Sequence, residues 1–328
     1  MKTIVWILVA VFQVFLLNHN LVDSCHEVTS FFHGAAKAFI NRTQSPWNWF
    51  YGAILIGEDE GIRNNLQIQS FLTLGLYHLI VVSGSHIRGL QVVVTSTTNW
   101  LPPRIQSWIV TLVLISFTLV NRMQASCMRA FLAWCLGSFG QKKFFGPRSD
   151  ADLNMVVICL CLAIEPAWAK SLSFQLSCSA TLGLSIVRSL ELEKGIGNRI
   201  AESFFCTLLT APLVFSIQPC LSWLVIPSNT LALPFFELIL MPVSLLSILL
   251  PFIRPLTDHV LIFVFGFCSW LSQFENPLFC FEERKLDSWG LVYIVFVYLS
   301  WRLVLPYYHR HRFWKNQLNP NGNSFSGT

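Results

Sequence analysis

From about residue 76 to residue 305, the chain consists of apolar segments that follow one another almost without interruption. Short connections join these segments and carry most of the Lys and Arg residues of this region. Only 12% of the chain is charged, about half of the ~25% that soluble domains usually contain, which is too little to cover a soluble surface. Disorder, collagen-like repeats and an ordinary soluble enzyme are therefore excluded, and the sequence predicts an all-α, polytopic transmembrane helical bundle.

The apolar segments set the expected number of membrane spans. Helices are predicted at 76–98, 105–121, 124–140, 153–170, 172–188, 200–217, 221–250, 258–273 and 288–305. The run from Thr3 to Leu17 behind Lys2 predicts an uncleaved N-terminal anchor, with a signal peptide as the alternative. Together they give about ten spans, with broken or re-entrant helices among them.

Four regions are expected along the chain. They are an N-terminal transmembrane anchor or signal peptide (1–21), an extracytoplasmic loop with an interfacial aromatic segment (22–75), a polytopic membrane domain (76–305) and a basic cytoplasmic tail (306–328). The aromatic segment around Trp47 and Trp49 has the composition of a membrane–water interface. The side that carries both termini holds more of the Lys and Arg residues, so it should be cytoplasmic.

Most of the ten cysteines lie inside apolar runs, where they are expected to act as small packing residues. Cys25, Cys220 and Cys280 instead fall in or near connections that could face an oxidising compartment. A disulfide among these three is one open interpretation.

Two arginines occupy positions inside predicted spans, where an uncompensated charge is costly. They are Arg88, in the run from Tyr77 to Thr98, and Arg129, between Met128 and Ala130. One interpretation is that they snorkel or pair with Glu165 or Glu237 and thereby lock helices together. The other is a hydrated interior path whose cationic side chains meet an anion.

Polar residues interrupt the apolar pattern at three further places. His78, Ser83, Gly84, Ser85 and His86 form the densest group, and Gly84 would permit a helix break that must face protein or water rather than lipid. Hydrogen bonds between neighbouring helices would explain the same residues, so the pattern alone leaves both open.

The second interruption, at 227–234, contains Asn229 and Pro234 and predicts a discontinuous helix. The third, at 173–183, includes Gln175 and Ser177. Its Ser179 and Gly183 form a small-x-x-x-small pair that suits close helix packing.

These segments resemble the ComEC competence channel family. Residues 75–87 are similar to its G-L-x-H-L-x-x-x-S-G-x-H-I signature, although Ser85 stands where Leu is usual. Four further motifs follow in family order: S-x-x-R-A at 126–130, D/N-P…F-Q-L-S at 165–177 (with Glu165 at the first position), T-x-P-L at 210–213 and N-x-x-x-x-P at 229–234. The resemblance covers roughly residues 57–250.

The resemblance implies an inner-membrane channel for uptake of single-stranded DNA during natural transformation in bacteria. It marks as pathway or scaffold positions His78, Ser83, Gly84, His86, Arg129 and Gln175, with Pro212, Asn229 and Pro234 as helix breaks; Arg88 is added for its charge. A strand of phosphates would need a wet, positively biased route with stacking surfaces, for which Tyr77, Phe174 and Trp134 are candidates.

Larger members of the family add an OB-like domain and a metallo-β-lactamase-like domain, for which residues 18–56 and 306–328 are too short. No H-x-H-x-D-H string and no G-x-x-x-x-G-K-[ST] loop occurs, so no enzymatic activity, cofactor or metal is expected. The expected partners are single-stranded DNA, a periplasmic DNA receptor, a cytoplasmic helicase-like ATPase, a separate nuclease, membrane lipid and a second copy of the chain.

Two other functions remain open at the level of sequence. An intramembrane serine hydrolase would use Ser83 or Ser85 with a histidine, although catalytic pairs generally come from different elements. A small-solute permease would also contain apolar runs and broken helices, although no internal inverted repeat is visible.

Overall fold

A computed structural model describes residues 19–42, 45–58, 67–138, 150–192, 195–216, 218, 220–274, 277–280 and 290–318. The described chain is all-α apart from two short strands, which confirms the predicted class. Its helices are α1 (His19–Asn41), α2 (Asn48–Ile56), α3 (Ile68–Thr73), α4 (Tyr77–Ile80), α5 (Gly84–Thr97), α6 (Pro103–Val120), α7 (Ala125–Cys135), α8 (Asp150–Ile164), α9 (Leu172–Ser189), α10 (Ile196–Val214), α11 (Val225–Phe235), α12 (Met241–Leu249), α13 (Arg254–Ser272) and α14 (Gly290–Leu318). The strands are β1 (Cys220–Ser222) and β2 (Pro277–Cys280).

Three helices of the described residues are long and apolar enough to cross a membrane. They cover Pro103–Val120, Val225–Ile248 and Pro251–Ser272, and Gly290–Val304 is a shorter apolar helix. The chain is therefore a membrane protein, but the prediction of about ten spans is not confirmed. The predicted N-terminal anchor lies outside the described residues up to residue 18, as does the tail beyond residue 318.

The segment at 22–75 differs from the loop that its polarity predicts, because it contains α1, α2 and α3. Helix α2 is apolar on all sides, and Phe50 and Tyr51 are fully enclosed. A helix without a polar face is stable only when it is surrounded. The aromatic segment therefore packs inside the protein, with Phe265 of α13 in contact with Trp47 and Phe50.

The predicted helix 76–98 is broken, as its Ser-Gly-Ser sequence indicates. Helix α4 ends at Ile80, and α5 begins at Gly84 with Ser83 as its extended N-cap residue. Gly84 is an ordinary helical residue and has no positive φ. The backbone is extended at Val81 and at Ser83, so the break in the helix lies before Gly84.

The predicted discontinuity at 227–234 is wrong. Asn229 and Pro234 lie within α11, which continues through a π-helical turn (Phe236–Leu240) directly into α12. Proline removes one backbone donor and crowds the preceding turn, yet the helix continues past Pro234. Pro212 likewise lies inside α10, in its last turn, rather than at a mid-membrane break.

Two hydrophobic cores organise the bundle. The larger one joins side chains from α2, α5, α6 and α13, among others, and the smaller one joins side chains from α8, α9 and α14. Helix α7 contributes to both, through Cys127 on one side and Ala125 on the other. Residues between α5 and α9 therefore lie where the two cores meet.

A disulfide joins Cys220 to Cys280, across a sequence separation of 60 residues. The two cysteines are paired in the antiparallel β1–β2 sheet. Of the pairings among Cys25, Cys220 and Cys280 that the sequence left open, the structure contains the one between Cys220 and Cys280. It also fixes the α10–α11 connection to the end of α13.

Gly183 confirms the interpretation that the small residues of α9 permit close packing. A Cβ atom at this position would lie 3.0 Å from the Phe205 carbonyl oxygen and 3.1 Å from the Cys206 nitrogen, both in the backbone of α10. We expect Gly183→Leu to lower the free energy of unfolding by about 1–3 kcal/mol or more, because backbone cannot move aside as a side chain can. Thermal unfolding in detergent measures this.

The matched control is Gly197→Leu in α10, where a Cβ meets nothing within 4 Å. Equal thermal stability of the two variants would contradict the close-packing role of Gly183.

Candidate functional site

A cluster of polar side chains, here called the Arg129 cluster, gathers at the first turn of α5. It consists of Ser83, Ser85 and His86 together with Arg129 of α7 and Ser177 of α9. The extended residues before α5 open a gap between α4 and α5, and α7 and α9 supply side chains to it. The sequence predicted three of these members as site residues: Ser83, His86 and Arg129.

Ser83 and His86 form the N-terminal cap of α5. The Ser83 backbone N–H donates to His86 Nδ1 at 3.2 Å, and Ser83 Oγ lies 3.2 Å from the same nitrogen. Because Nδ1 accepts, the proton of the neutral ring belongs on Nε2. That nitrogen is buried without a hydrogen-bond partner, and the ring meets Phe236 edge to face. His86 thereby fixes the geometry of the break.

Arg129 is the charged centre of the cluster. Its side chain is 6% exposed, and its Nε donates to Ser177 Oγ at 2.9 Å. Among the described residues, no Asp or Glu forms an ion pair with it; the ion pairs found there join Lys37 to Glu58, Arg188 to Asp150 and Arg302 to Asp152. A buried guanidinium with one neutral partner has unused capacity for an anion.

Gly84 allows Arg129 to approach the helix. A Cβ on Gly84 would lie 2.9 Å from Arg129 Nη2 and 3.4 Å from the Ala130 Cβ. The role of this glycine is therefore close approach, and not the turn that the sequence suggested. The guanidinium consequently lies against the first turn of α5, whose backbone N–H groups carry partial positive charge.

Among the described residues, neither Arg88 nor Arg129 forms an ion pair with an acidic side chain. Glu165 instead accepts from the Ala167 backbone N–H at the start of a 3₁₀ turn. Arg88 is exposed, and it lies near enough to Glu237 of the π turn for their charges to interact without forming an ion pair.

The other predicted positions do not join the cluster. His78 is exposed, and its Nδ1 lies 2.9 Å from the Gly75 carbonyl oxygen. Gln175 is buried and donates to the Ala169 carbonyl oxygen, which ties the start of α9 to the preceding turn. Phe174 is fully enclosed, so its ring offers no face to a passing base.

An intramembrane serine hydrolase would use Ser83 with a histidine. Ser83 and His86 are in contact, but they are poorly arranged for catalysis. The Nδ1 lone pair already accepts the Ser83 backbone N–H. The opposite nitrogen has no carboxylate to orient the ring or to stabilise an imidazolium. Within the described ranges, no three His, Cys, Asp or Glu side chains converge as metal ligands would.

Sequence reasoning missed a second buried polar group, where α2 meets α13. Arg254 is 6% exposed, donates to Asn48 Oδ1 and lies over the Tyr51 ring. Asp258 accepts from the Tyr51 and Ser45 hydroxyls at 2.8 and 3.0 Å. The missed signal was the spacing of Arg254 and Asp258, which places them on one face of a helix.

The fold and the site define a helical membrane protein with a cationic cluster buried at a helix break. The chain belongs to the competence protein family, whose model matches residues 54–307. This confirms the resemblance to the ComEC-type family that the motifs indicated, and it gives the chain a role in competence. No curated protein and no solved structure matches the chain.

Proposed function

We propose that this protein conducts single-stranded DNA across the bacterial inner membrane during natural transformation. The observation that supports this most directly is the Arg129 guanidinium, which is buried against the first turn of α5 without a carboxylate partner. In a competence protein, the anion that such a group would meet is a DNA phosphate.

The chemistry of the Arg129 cluster suits a transient phosphate contact. A guanidinium, three serine hydroxyls and the N-terminal N–H groups of a helix can all donate to phosphate oxygens. The cluster is also limited to one full charge, so binding would be weak enough for release. Conduction requires both properties, because a strand that bound tightly at one place would stop there.

The disulfide supports the proposed orientation. Cys220 and Cys280 are expected in separate connections on the side that is poorer in Lys and Arg, and the structure joins them. Disulfides persist in oxidising compartments, so this side would be periplasmic. Both termini would then be cytoplasmic, in a multi-pass arrangement of about ten spans that includes shorter helices.

Helix α2 has nine residues, about 13 Å, which is less than half of the ~30 Å hydrocarbon core. In this arrangement it would be a short segment buried within the membrane domain. Such segments are tolerated where protein surrounds them, as it does here.

The proposed partners are those expected of a single-stranded DNA conduit in the competence protein family. A conduit without a nucleotide-binding loop would depend on a cytoplasmic helicase-like ATPase for force. A periplasmic receptor would deliver the DNA, and a separate nuclease would degrade the second strand. We propose that the chain has no enzymatic activity and needs no cofactor or metal. Membrane lipid and a second copy of the chain complete the proposed partners.

Complementation tests the proposal. A deletion strain should lose transformation and should regain it when this chain is supplied, with labelled single-stranded DNA accumulating in the cytoplasm. Transformation that persists in the deletion strain would contradict the proposal. Failure to grow on one nutrient, with normal DNA uptake, would instead favour the permease alternative.

A further inference from the structure

Helix α1 carries a row of large apolar side chains that remain exposed. Val28, Phe31, Phe32 and Phe39 are 49%, 72%, 43% and 43% exposed. Spacings of three, four and seven residues relate them, so they lie on one side of the helix. Ala35, which is also exposed, falls between them on this side. These five residues are called the apolar face of α1.

The side of α1 that packs on the rest of the protein is more polar. It includes Thr29 and His33, which are only 3% and 4% exposed. His33 Nδ1 donates to the Val120 carbonyl oxygen at 3.0 Å. A helix whose outer side met water would bury its phenylalanines and expose its histidine. The reversed arrangement indicates that an apolar medium or partner lies against the apolar face.

A third side of α1 is both exposed and polar. It carries Glu27, Ser30, Gly34 and Asn41, again at helical spacings. Because successive residues turn by about 100°, Gly34 lies about 160° from Phe32 around the helix axis. Water on this side and an apolar medium on the other are the surroundings that a membrane–water interface provides.

Helix α1 has the length of a membrane span but not its composition. Its 23 residues extend over about 34 Å, more than the ~30 Å thickness of the hydrocarbon core. It is nevertheless not among the described helices that are apolar enough to cross a membrane, and its sequence includes Asp23, Glu27 and Lys37. An amphipathic helix of this kind lies along a membrane surface rather than across the membrane.

The contact between α1 and α6 places α1 at the level of the membrane surface. Helix α6 is long and apolar enough to cross a membrane, and its Trp108 and Leu112 are 68% and 66% exposed, as lipid contact would leave them. Val120 is the last residue of α6, and His33, near the middle of α1, donates to it. Helix α1 therefore meets α6 where this span ends, and the lipid that surrounds α6 is adjacent to α1.

We propose that α1 is an interfacial helix whose apolar face inserts between lipid acyl chains at the membrane surface. The partner is the lipid surface itself. Helix α1 precedes residues 54–307, which match the competence model, so the family relationship assigns no role to it. The inference is also independent of the proposed conduit. Through the His33–Val120 bond, α1 holds the end of α6, and with it the turn that leads into α7, at a fixed depth in the membrane.

Photo-crosslinking of the full chain in lipid vesicles tests the inference. Phe32 or Phe39 is replaced with p-benzoylphenylalanine, which keeps an aromatic side chain and bonds to neighbouring C–H groups on irradiation. The vesicles consist of phosphatidylethanolamine and phosphatidylglycerol with radiolabelled acyl chains. We expect both variants to carry labelled lipid after irradiation, because acyl chains surround these two positions.

Gly34 replaced with the same residue is the matched control. It is exposed on the polar side of the same helix, and a Cβ there meets nothing within 4 Å. The acyl label should be lost at this position. Absence of label from the Phe32 and Phe39 variants, or equal label at all three positions, would each overturn the interfacial placement.

Crosslinks from Phe32 and Phe39 to a second copy of the chain, or within the chain, in place of lipid would show that protein covers the apolar face. Either result would also overturn the inference. Transformation of the complemented deletion strain is a separate measurement. The interfacial helix can therefore fail while the proposed conduit stands.

Discussion

Replacing Arg129 with Gln is expected to lower the import of labelled single-stranded DNA by about 10- to 150-fold, the equivalent of one charge-assisted hydrogen bond of about 1.5–3 kcal/mol. The physical reason is that Gln retains a donor for Ser177 Oγ, which lies 2.9 Å from Arg129 Nε, but removes the charge. A phosphate at the first turn of α5 would then meet only hydroxyls and backbone N–H groups. Import into cells at matched protein levels measures the effect.

Two further variants separate charge from structure. Arg129→Lys keeps the charge and should recover much of the import, although it loses the planar geometry. Arg188→Gln is the matched control, because Arg188 of α9 forms an exposed ion pair with Asp150 that contributes little. Import by Arg129→Gln at the level of Arg188→Gln would remove Arg129 from the path, provided that both variants form the Cys220–Cys280 disulfide.

Replacing both Cys220 and Cys280 with Ser is expected to lower the free energy of unfolding by about 2–4 kcal/mol, because the bond closes a loop of 60 residues. The β1–β2 sheet is short, so little else holds the α10–α11 connection against the end of α13. Thermal unfolding of the purified chain in detergent, with and without reductant, measures the change.

Cys159→Ser is the control for the cysteine substitution itself, since Cys159 is a free, exposed thiol. It should unfold at the same temperature as the unmodified chain. A double variant that was also unchanged would show that the disulfide adds nothing to stability. Alkylation of Cys220 in intact cells without reductant would argue against a periplasmic disulfide.

The sequence predicted those helices well whose apolar runs end at clear polar boundaries. The run 105–121 corresponds to Pro103–Val120, and 172–188 corresponds to Leu172–Ser189. The prediction at 227–234 failed, because the local cost of Pro234 was expected to end the helix, whereas α11 continues past it through the π turn into α12. The sequence also failed to predict α2. This segment is shorter than a membrane span, and its burial depends on α13, which is distant in sequence.

Buried polar residues could be predicted from the sequence where they interrupt an apolar run. They could not be predicted where they lie at the edge of a run. Ser83, His86 and Arg129 stand out from their surroundings, and the structure brings them together. Arg254 and Asp258 lie at the start of a run, where charge is ordinary, so their burial by α2 could not be inferred. The contact of Arg129 with Ser177 required the packing of α7 on α9, which the sequence does not specify.

The meeting of the two hydrophobic cores at the Arg129 cluster has a mechanical consequence. The contact that crosses this seam at Arg129 is a single hydrogen bond, to Ser177, while the interlocked apolar side chains lie on either side of it. Helix α7 has residues in both cores, Cys127 in the larger and Ala125 in the smaller, so a shift of α7 relative to α9 would exchange that bond for water and would also disturb the packing of the smaller core. The two packed units are therefore coupled to each other at this charge.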